Sequence, residues 1–187
     1  MAYKLLKDIS ASTTQVLLNQ VLGVIIFLIT SRYLSKEIYG EFNWSLAVLT
    51  FATTILSLRL EQIVVRKIAG GANASNALTS FTFHILISGV LFYSLLLTFR
   101  HLFPDFFSNH NLLYLLAISQ LVSFFSLPFK QVANGKEKYG HLAIMSIILN
   151  LARSILLAGV VIYSSLTIEA VILVFIISSI LELAVSI

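Results

Sequence analysis

The sequence predicts an all-α fold, a polytopic membrane helix bundle of about six transmembrane helices with its N-terminus in the cytoplasm. Only 11% of the 187 residues are charged and 58% are hydrophobic, whereas an ordinary soluble domain carries about 25% charged residues. Six long apolar stretches alternate with short charged clusters along the chain. Because a helix of roughly 20 apolar residues crosses the hydrocarbon core of a bilayer, each stretch is long enough to span a membrane.

Charged residues delimit the spans, which we place near residues 10–31, 42–65, 77–99, 111–129, 141–163 and 167–187. The connections are short and contain no low-complexity linker, so we expect a single transmembrane bundle over residues 1–187. The first stretch follows Lys4 and Lys7, as a secretory signal would, but Arg32 and Lys36 stand where small residues would mark a cleavage site. We therefore interpret it as a retained helix. The last span is still apolar where the sequence stops, which leads us to expect the N-terminal half of a larger protein.

The orientation is predicted from positive charges, because cytoplasmic loops of membrane proteins are enriched in Lys and Arg. With the N-terminus inside, seven such residues fall on the cytoplasmic side and three on the outer side. The cytoplasmic set comprises Lys4, Lys7, Arg66, Lys67, Lys130, Lys136 and Lys138, and the outer set comprises Arg32, Lys36 and Arg100.

Several functional classes are disfavoured by composition and motifs. The chain has no cysteine, which excludes disulfide frameworks and thiolate chemistry. Its basic residues are spread between spans instead of covering one polar face, so nucleic acid is not an expected partner. Glycine-rich phosphate loops, nucleophile elbows and histidines at metal-ligand spacing are absent from the sequence. We therefore expect neither an enzyme nor a bound metal or cofactor.

Polar residues recur at steps of three and four inside the apolar spans, which indicates the face of each helix that turns away from lipid. These stripes are Ser12, Gln15, Asn19 and Gly23 in the first span, Ser80, His84 and Ser88 in the third, Ser119, Ser123 and Ser126 in the fourth, and Ser146, Asn150 and Arg153 in the fifth. For the serines of the fourth span we favour close helix packing. For Gln15, Asn19 and Asn150, both packing and the lining of a water-filled cavity remain open. His84 is interpreted as a hydrogen-bonded packing residue, with proton coupling as the alternative.

Two arginines lie deep enough in the predicted spans to need compensation. An arginine at the centre of a membrane helix costs about 2.5–3.5 kcal/mol on insertion scales. Arg153 falls near the middle of the fifth span, and Glu182 of the sixth span is a candidate partner. Either the two form a structural ion pair or the arginine binds an anionic ligand.

The end of the second span carries a basic stripe. Arg59, Gln62 and Arg66 share one helix face, while Glu61 points elsewhere. Arg66 and the neighbouring Lys67 suit lipid headgroups at the cytoplasmic surface. Arg59 lies deeper by about 10 Å of helical rise and is the strongest candidate for a phosphate contact.

Two segments carry a family resemblance. Residues 31–42, Ser-Arg-Tyr-Leu-Ser-Lys-Glu-Ile-Tyr-Gly-Glu-Phe, resemble the signature that follows the first helix in Wzx-type polysaccharide flippases. Residues 63–69, Ile-Val-Val-Arg-Lys-Ile-Ala, look like the second motif of the same family, in the same order and spacing.

The resemblance implies a fold and a substrate. Members of that family, within the group that includes multidrug and toxin extrusion transporters, have twelve to fourteen helices in two similar halves around a central cavity. They move an undecaprenyl-diphosphate-linked oligosaccharide to the outer leaflet of the bacterial plasma membrane for O-antigen or capsule synthesis. The resemblance implies that Arg32 and Arg66 lie beside the cavity. At Arg59 and Glu61 this sequence departs from the small or acidic residue common in the family, so no role is carried over to them.

The sequence thus supports three hypotheses. In the first, the protein is a flippase that binds the diphosphate through Arg59 and Arg153 and the sugar through Gln15, Asn19 and Asn150. Its partners are then the lipid-linked oligosaccharide, membrane lipids, a second helical half and the polysaccharide polymerase machinery. In the second, a cation-coupled multidrug exporter uses Glu61, Glu182 or His84 for coupling. In the third, the chain is a non-transporting membrane fragment or scaffold.

Overall fold

The structure, a computed structural model, describes residues 2–105 and 110–187. The helices of these residues are α1 (Ala2–Tyr33), α2 (Lys36–Leu56), α3 (Leu60–Ala69), α4 (Ala74–Leu102), α5 (Asn111–Gly135), α6 (Tyr139–Tyr163) and α7 (Ile168–Ser186). The described residues contain no strand, and the all-α prediction is confirmed. The side chains of Lys4, Lys7 and Ser12, which entered the predictions above, lie outside the described part of the chain.

The helices reproduce the predicted layout of spans. Residues Thr13–Tyr33 of α1 and the whole of α4, α5, α6 and α7 are each long and apolar enough to cross a membrane. α2 and α3 meet the same criteria only together, as a pair bent by 50°. The described residues therefore supply five continuous candidate spans, and a sixth if the bent pair α2 and α3 is one broken span.

The break in the second span is the main departure from the prediction, which treated residues 42–65 as one helix. The backbone takes left-handed φ values at Leu58 (49°) and Arg59 (54°). Before the break, the side chains of Thr53, Thr54 and Ser57 donate hydrogen bonds to backbone carbonyls of the preceding turn. Such bonds compete with the regular helical ladder and favour bending.

The bundle is built around α5 and α7. α7 packs against α5 and α6, α1 packs mainly against α6, and α3 and α4 pack against α5 on the opposite side. α1 touches α2 only lightly, although the two are consecutive in sequence. One apolar core joins α2, α5, α6 and α7, and a second joins α3, α4 and α5.

The segment that carries the first family motif forms a corner between α1, α2 and α5. Ser35 caps α2 by accepting a hydrogen bond from the backbone N–H of Ile38. Glu41 accepts a hydrogen bond of 3.2 Å from the backbone N–H of Leu112, at the start of α5. A carboxylate is favourable at a helix N-terminus because it faces unpaired N–H groups and the positive end of the helix dipole. Phe42 is buried and meets Phe175 of α7 edge to face, with ring centroids 5.3 Å apart.

Candidate functional site

A seam of serines joins the two central helices. Ser119 of α5 hydrogen-bonds the hydroxyl of Ser179 on α7 at 2.9 Å and donates to the carbonyl of Phe175 at 3.0 Å. One turn further along α5, Ser123 donates to Ser179 at 3.0 Å. Small hydroxyl side chains allow close approach of two helices within a membrane. The packing interpretation of Ser119 and Ser123 agrees with these contacts.

An ion pair between α5 and α7 lies beyond this seam, two turns after Ser123 and about one turn after Ser179. The Lys130 ammonium of α5 contacts the Glu182 carboxylate of α7 through Oε1. The second oxygen, Oε2, is buried and has no hydrogen-bond partner among the described residues. Lys130 was predicted to be a cytoplasmic loop residue, but α5 continues through Pro128 to Gly135, so Lys130 lies within a helix.

Arg153 lies near the middle of α6, as predicted, but the group that faces it is aromatic. The guanidinium carbon stands 4.0 Å from the ring centroid of Phe175. Such cation–π contacts contribute about 2 kcal/mol or more where the cation is shielded from water. The Arg153 Nε atom is buried and unpartnered within the described residues. Glu182, the predicted ion-pair partner, contacts Lys130 instead and interacts with Arg153 only electrostatically.

A polar recess of about 170 Å³ lies between the broken span and α5. Its walls carry the side chains of Thr53, Thr54, Glu61, Gln120 and Ser123, together with Phe124 and Leu127. Gln120 donates a hydrogen bond of 3.4 Å to the Thr53 hydroxyl across the recess. Glu61, predicted as a coupling candidate, is therefore one of the recess-lining groups.

The asparagines predicted as sugar ligands meet each other. The side-chain amide of Asn150 on α6 donates to the side-chain oxygen of Asn19 on α1 at 3.0 Å. Ser154, one turn later, is within 3.4 Å of the Leu22 carbonyl. Gln15 lies one turn before Asn19 and is partly buried. The polar stripes of the first and fifth spans thus face each other.

The arginines of the two family motifs lie on the surface of the described structure. Arg32 is exposed at the end of α1, and Arg66 is exposed near the end of α3. Arg59 is also exposed and occupies the break between α2 and α3. The structure does not bring Arg59 and Arg153 into one recess, since neither belongs to the walls described above.

His84 of α4 reaches the break from the other side. Its Nε2 atom lies 2.9 Å from the backbone carbonyl oxygen of Leu56, the last residue of α2. A carbonyl oxygen only accepts hydrogen bonds, so Nε2 carries the proton. His84 is hydrogen-bonded between helices, as the packing interpretation expected.

Two residues of the site were missed at the level of sequence, namely Lys130 and Phe175. The signal for Lys130 is its spacing, because Gln120, Ser123, Leu127 and Lys130 follow one another at steps of three and four on α5. Nothing in the sequence distinguishes Phe175 from the other aromatic residues of the chain.

The chain matches the model of a known family over residues 5–187, and the description of that family is polysaccharide biosynthesis protein. No curated protein and no solved structure matches the chain.

Proposed function

Because the chain belongs to the polysaccharide biosynthesis protein family and is a multi-pass membrane protein, we propose that it is a flippase for a polyprenyl-diphosphate-linked oligosaccharide. It acts in the bacterial plasma membrane and supplies surface polysaccharide synthesis, such as that of O-antigen or capsule. It is a transporter and not an enzyme. Its partners are the lipid-linked oligosaccharide, the surrounding lipids, a second helical half and the polymerase machinery that uses the exported glycan.

The observation that carries this proposal is an excess of positive charge inside the bundle. Lys130 pairs with the Glu182 carboxylate, whereas Arg153 lies over the Phe175 ring and its Nε atom has no partner among the described residues. A cation in hydrocarbon is unfavourable unless it serves a ligand or a relay. A diphosphate offers acceptor oxygens to the Arg153 guanidinium, since arginine is well suited to phosphate oxygens.

The remaining candidates fit the same scheme. Exposed Arg59 and Arg66 lie in the broken span, at the break and near the end of α3, where the charged headgroup is expected to pass. Asn19, Asn150 and Gln15 offer amide groups to sugar hydroxyls once α1 and α6 separate enough to free the Asn19–Asn150 hydrogen bond. Arg32 lies at the corner formed by the first family motif and contributes positive charge at the predicted outer mouth.

The proposal is tested by glycan export in a bacterial host that lacks its own copy of the gene. Arg153→Met is expected to abolish the surface glycan, because it removes the guanidinium and keeps an apolar contact with Phe175. Arg100→Met is the matched control, because Arg100 also stands over an aromatic ring, 3.9 Å from the Tyr114 centroid, but at the end of α4. Normal export by Arg153→Met at an unchanged membrane level of the protein would refute the diphosphate role.

A second candidate function, cation-coupled export of organic cations, is favoured by one observation. Glu61 lines the polar recess, where a carboxylate suits a cationic substrate or a coupling ion. Uptake of a fluorescent organic cation into proteoliposomes distinguishes the two functions. Transport that is lost in Glu61→Gln, together with normal glycan export, would favour the exporter.

A further inference from the structure

We propose that the turn between α5 and α6 binds the headgroup of an anionic diacyl phospholipid, such as phosphatidylglycerol, and that the adjoining groove holds the first part of its acyl chains. The ligand is a lipid of the surrounding membrane and not the transported substrate. The inference therefore goes beyond the proposed function and does not rest on it.

The groove has a volume of about 240 Å³ and lies at the end of the bundle that is predicted to face the cytoplasm. It is formed where Leu78 of α4 meets the end of α5 and the start of α6. It shares no lining residue with the polar recess beside the broken span. Pockets that enclose drug-sized ligands measure about 300–1,000 Å³, so this groove suits part of a lipid and is too small for an oligosaccharide.

The lining of the groove changes from apolar to basic toward the end of the bundle. Phe129 and Val132 of α5 precede Lys136 at steps of three and four, so the three residues lie on one helix face. On α6, Met145 lies one turn after His141 and on the same face. The apolar side chains therefore lie within the helices and the basic ones at their ends, which is the order of acyl chain and phosphate in a bilayer leaflet.

The charge of the rim selects an anionic lipid. Lys136, Lys138 and His141 line the groove and are all exposed. None of the described residues that line it is acidic, and Glu137, which separates the two lysines in sequence, is not part of the lining. Basic pockets between transmembrane helices on the cytoplasmic side are typical sites for anionic lipid headgroups. Lys138 is also the N-cap residue of α6, so a phosphate beside it faces the positive end of the helix dipole.

Binding of a phosphatidylglycerol that carries a fluorophore at the end of one acyl chain tests the site. Fluorescence anisotropy with the purified chain in neutral detergent gives the affinity. Lys136→Met/Lys138→Met is expected to weaken binding by about 30-fold, the effect of two lysines at an anionic lipid surface. Lys136→Arg/Lys138→Arg keeps both charges and is expected to bind as tightly as the unsubstituted chain. Equal affinities of the methionine variant and the unsubstituted chain would overturn the proposal.

The matched control is Lys36→Met. Lys36 and Lys136 are both exposed and each opens a Lys-Glu-x-Tyr-Gly segment, but Lys36 lies at the start of α2 and does not line the groove. Lys136→Met is expected to weaken binding about fivefold and Lys36→Met to leave it unchanged. Equal losses in the two variants would mean that the lipid follows the net charge of the chain, and the assigned site would be wrong.

Three unlabelled competitors distinguish a phospholipid from other sources of phosphate. Phosphatidylglycerol is expected to displace the probe. Phosphatidylcholine, which has no net charge, and glycerol 3-phosphate, which has no acyl chains, are expected to require roughly tenfold or higher concentrations. Equal competition by phosphatidylcholine would reduce the groove to an unselective lipid contact, and equal competition by glycerol 3-phosphate would make it a site for free phosphate. Either result would overturn the proposal, whereas the proposed function is judged separately by glycan export of Arg153→Met.

Discussion

His84 Nε2 and the Leu56 carbonyl oxygen lie 2.9 Å apart and join α4 to the end of α2. In an uninterrupted helix this carbonyl would accept from the N–H of Leu60, but that N–H bonds to Ser57 instead. An unpaired carbonyl within a membrane costs several kcal/mol. His84 therefore satisfies the carbonyl group that the break sets free.

Replacement of His84 by phenylalanine is expected to destabilise the bundle. The variant keeps the ring volume and removes the donor, so the Leu56 carbonyl is left unpaired at a cost of about 1–3 kcal/mol. Thermal unfolding in detergent measures the loss. His101→Phe, at the exposed end of the same helix, serves as the control. Equal unfolding temperatures for the two variants would contradict the bridging role.

At Arg59 the backbone and the charge can be separated by two substitutions. The left-handed conformation, φ 54°, is unfavourable for residues with a Cβ atom by roughly 1–2 kcal/mol and is free of that penalty for glycine. Arg59→Gly is therefore expected to be more stable than Arg59→Ala. Both variants lack the guanidinium, so glycan export should fall equally if that group binds phosphate. If Arg59→Gly exported glycan normally and Arg59→Ala did not, the backbone conformation at residue 59 would matter for export and the guanidinium would not.

Gly135 marks the closest approach of α3 to α5. A Cβ atom built at this position would lie 2.8 Å from the Ile68 Cβ and 3.3 Å from the Val65 carbonyl oxygen. Gly135→Ala is thus expected to push the second half of the broken span away and to lower stability by about 1–3 kcal/mol. Gly140→Ala is the control because nothing lies within 4 Å of its Cβ position. Unfolding temperatures in detergent report both, and an unaffected Gly135→Ala would contradict the tight crossing.

The contact between Asn19 and Asn150 is suited to a double-mutant cycle. Each residue is replaced by leucine, first singly and then together. The expected coupling energy is about 0.6 kcal/mol, the average for hydrogen bonds between membrane helices, whose upper value is about 1.7 kcal/mol. Reversible unfolding in mixed micelles measures it. A coupling of zero would mean that the two side chains do not meet in the membrane, and glycan export by the same variants reports whether the amides also serve the substrate.

The spans were predictable because hydropathy and charge act locally along the chain. Five of the six coincide with continuous helices, and the serine stripe of the fourth span packs as interpreted. The break at Leu58 was not predictable, because the segment around it contains neither proline nor glycine and the carbonyl that the break sets free is satisfied by His84, 28 positions away.

The candidate site was only partly predictable for a similar reason. Charge marked Arg153 and Glu182 as buried, but it did not reveal which partner each would meet. Lys130 was assigned to a loop because a charged residue usually marks the end of a span. In the structure α5 continues past Pro128, and the Lys130 ammonium group pairs with the Glu182 carboxylate. Pairing between distant helices is a property of packing, which no local pattern in α5 or α7 encodes.

The attachment of α1 to α6 has a consequence for biosynthesis. The residues that dock the first helix, Asn19 and Asn150, are 131 positions apart. At translation rates of about 5–20 residues per second, the first helix waits on the order of ten seconds before its docking surface leaves the ribosome. During that interval α1 stands in the lipid with its amide side chains unpaired, so a membrane chaperone or the translocon itself has a defined period in which to hold it.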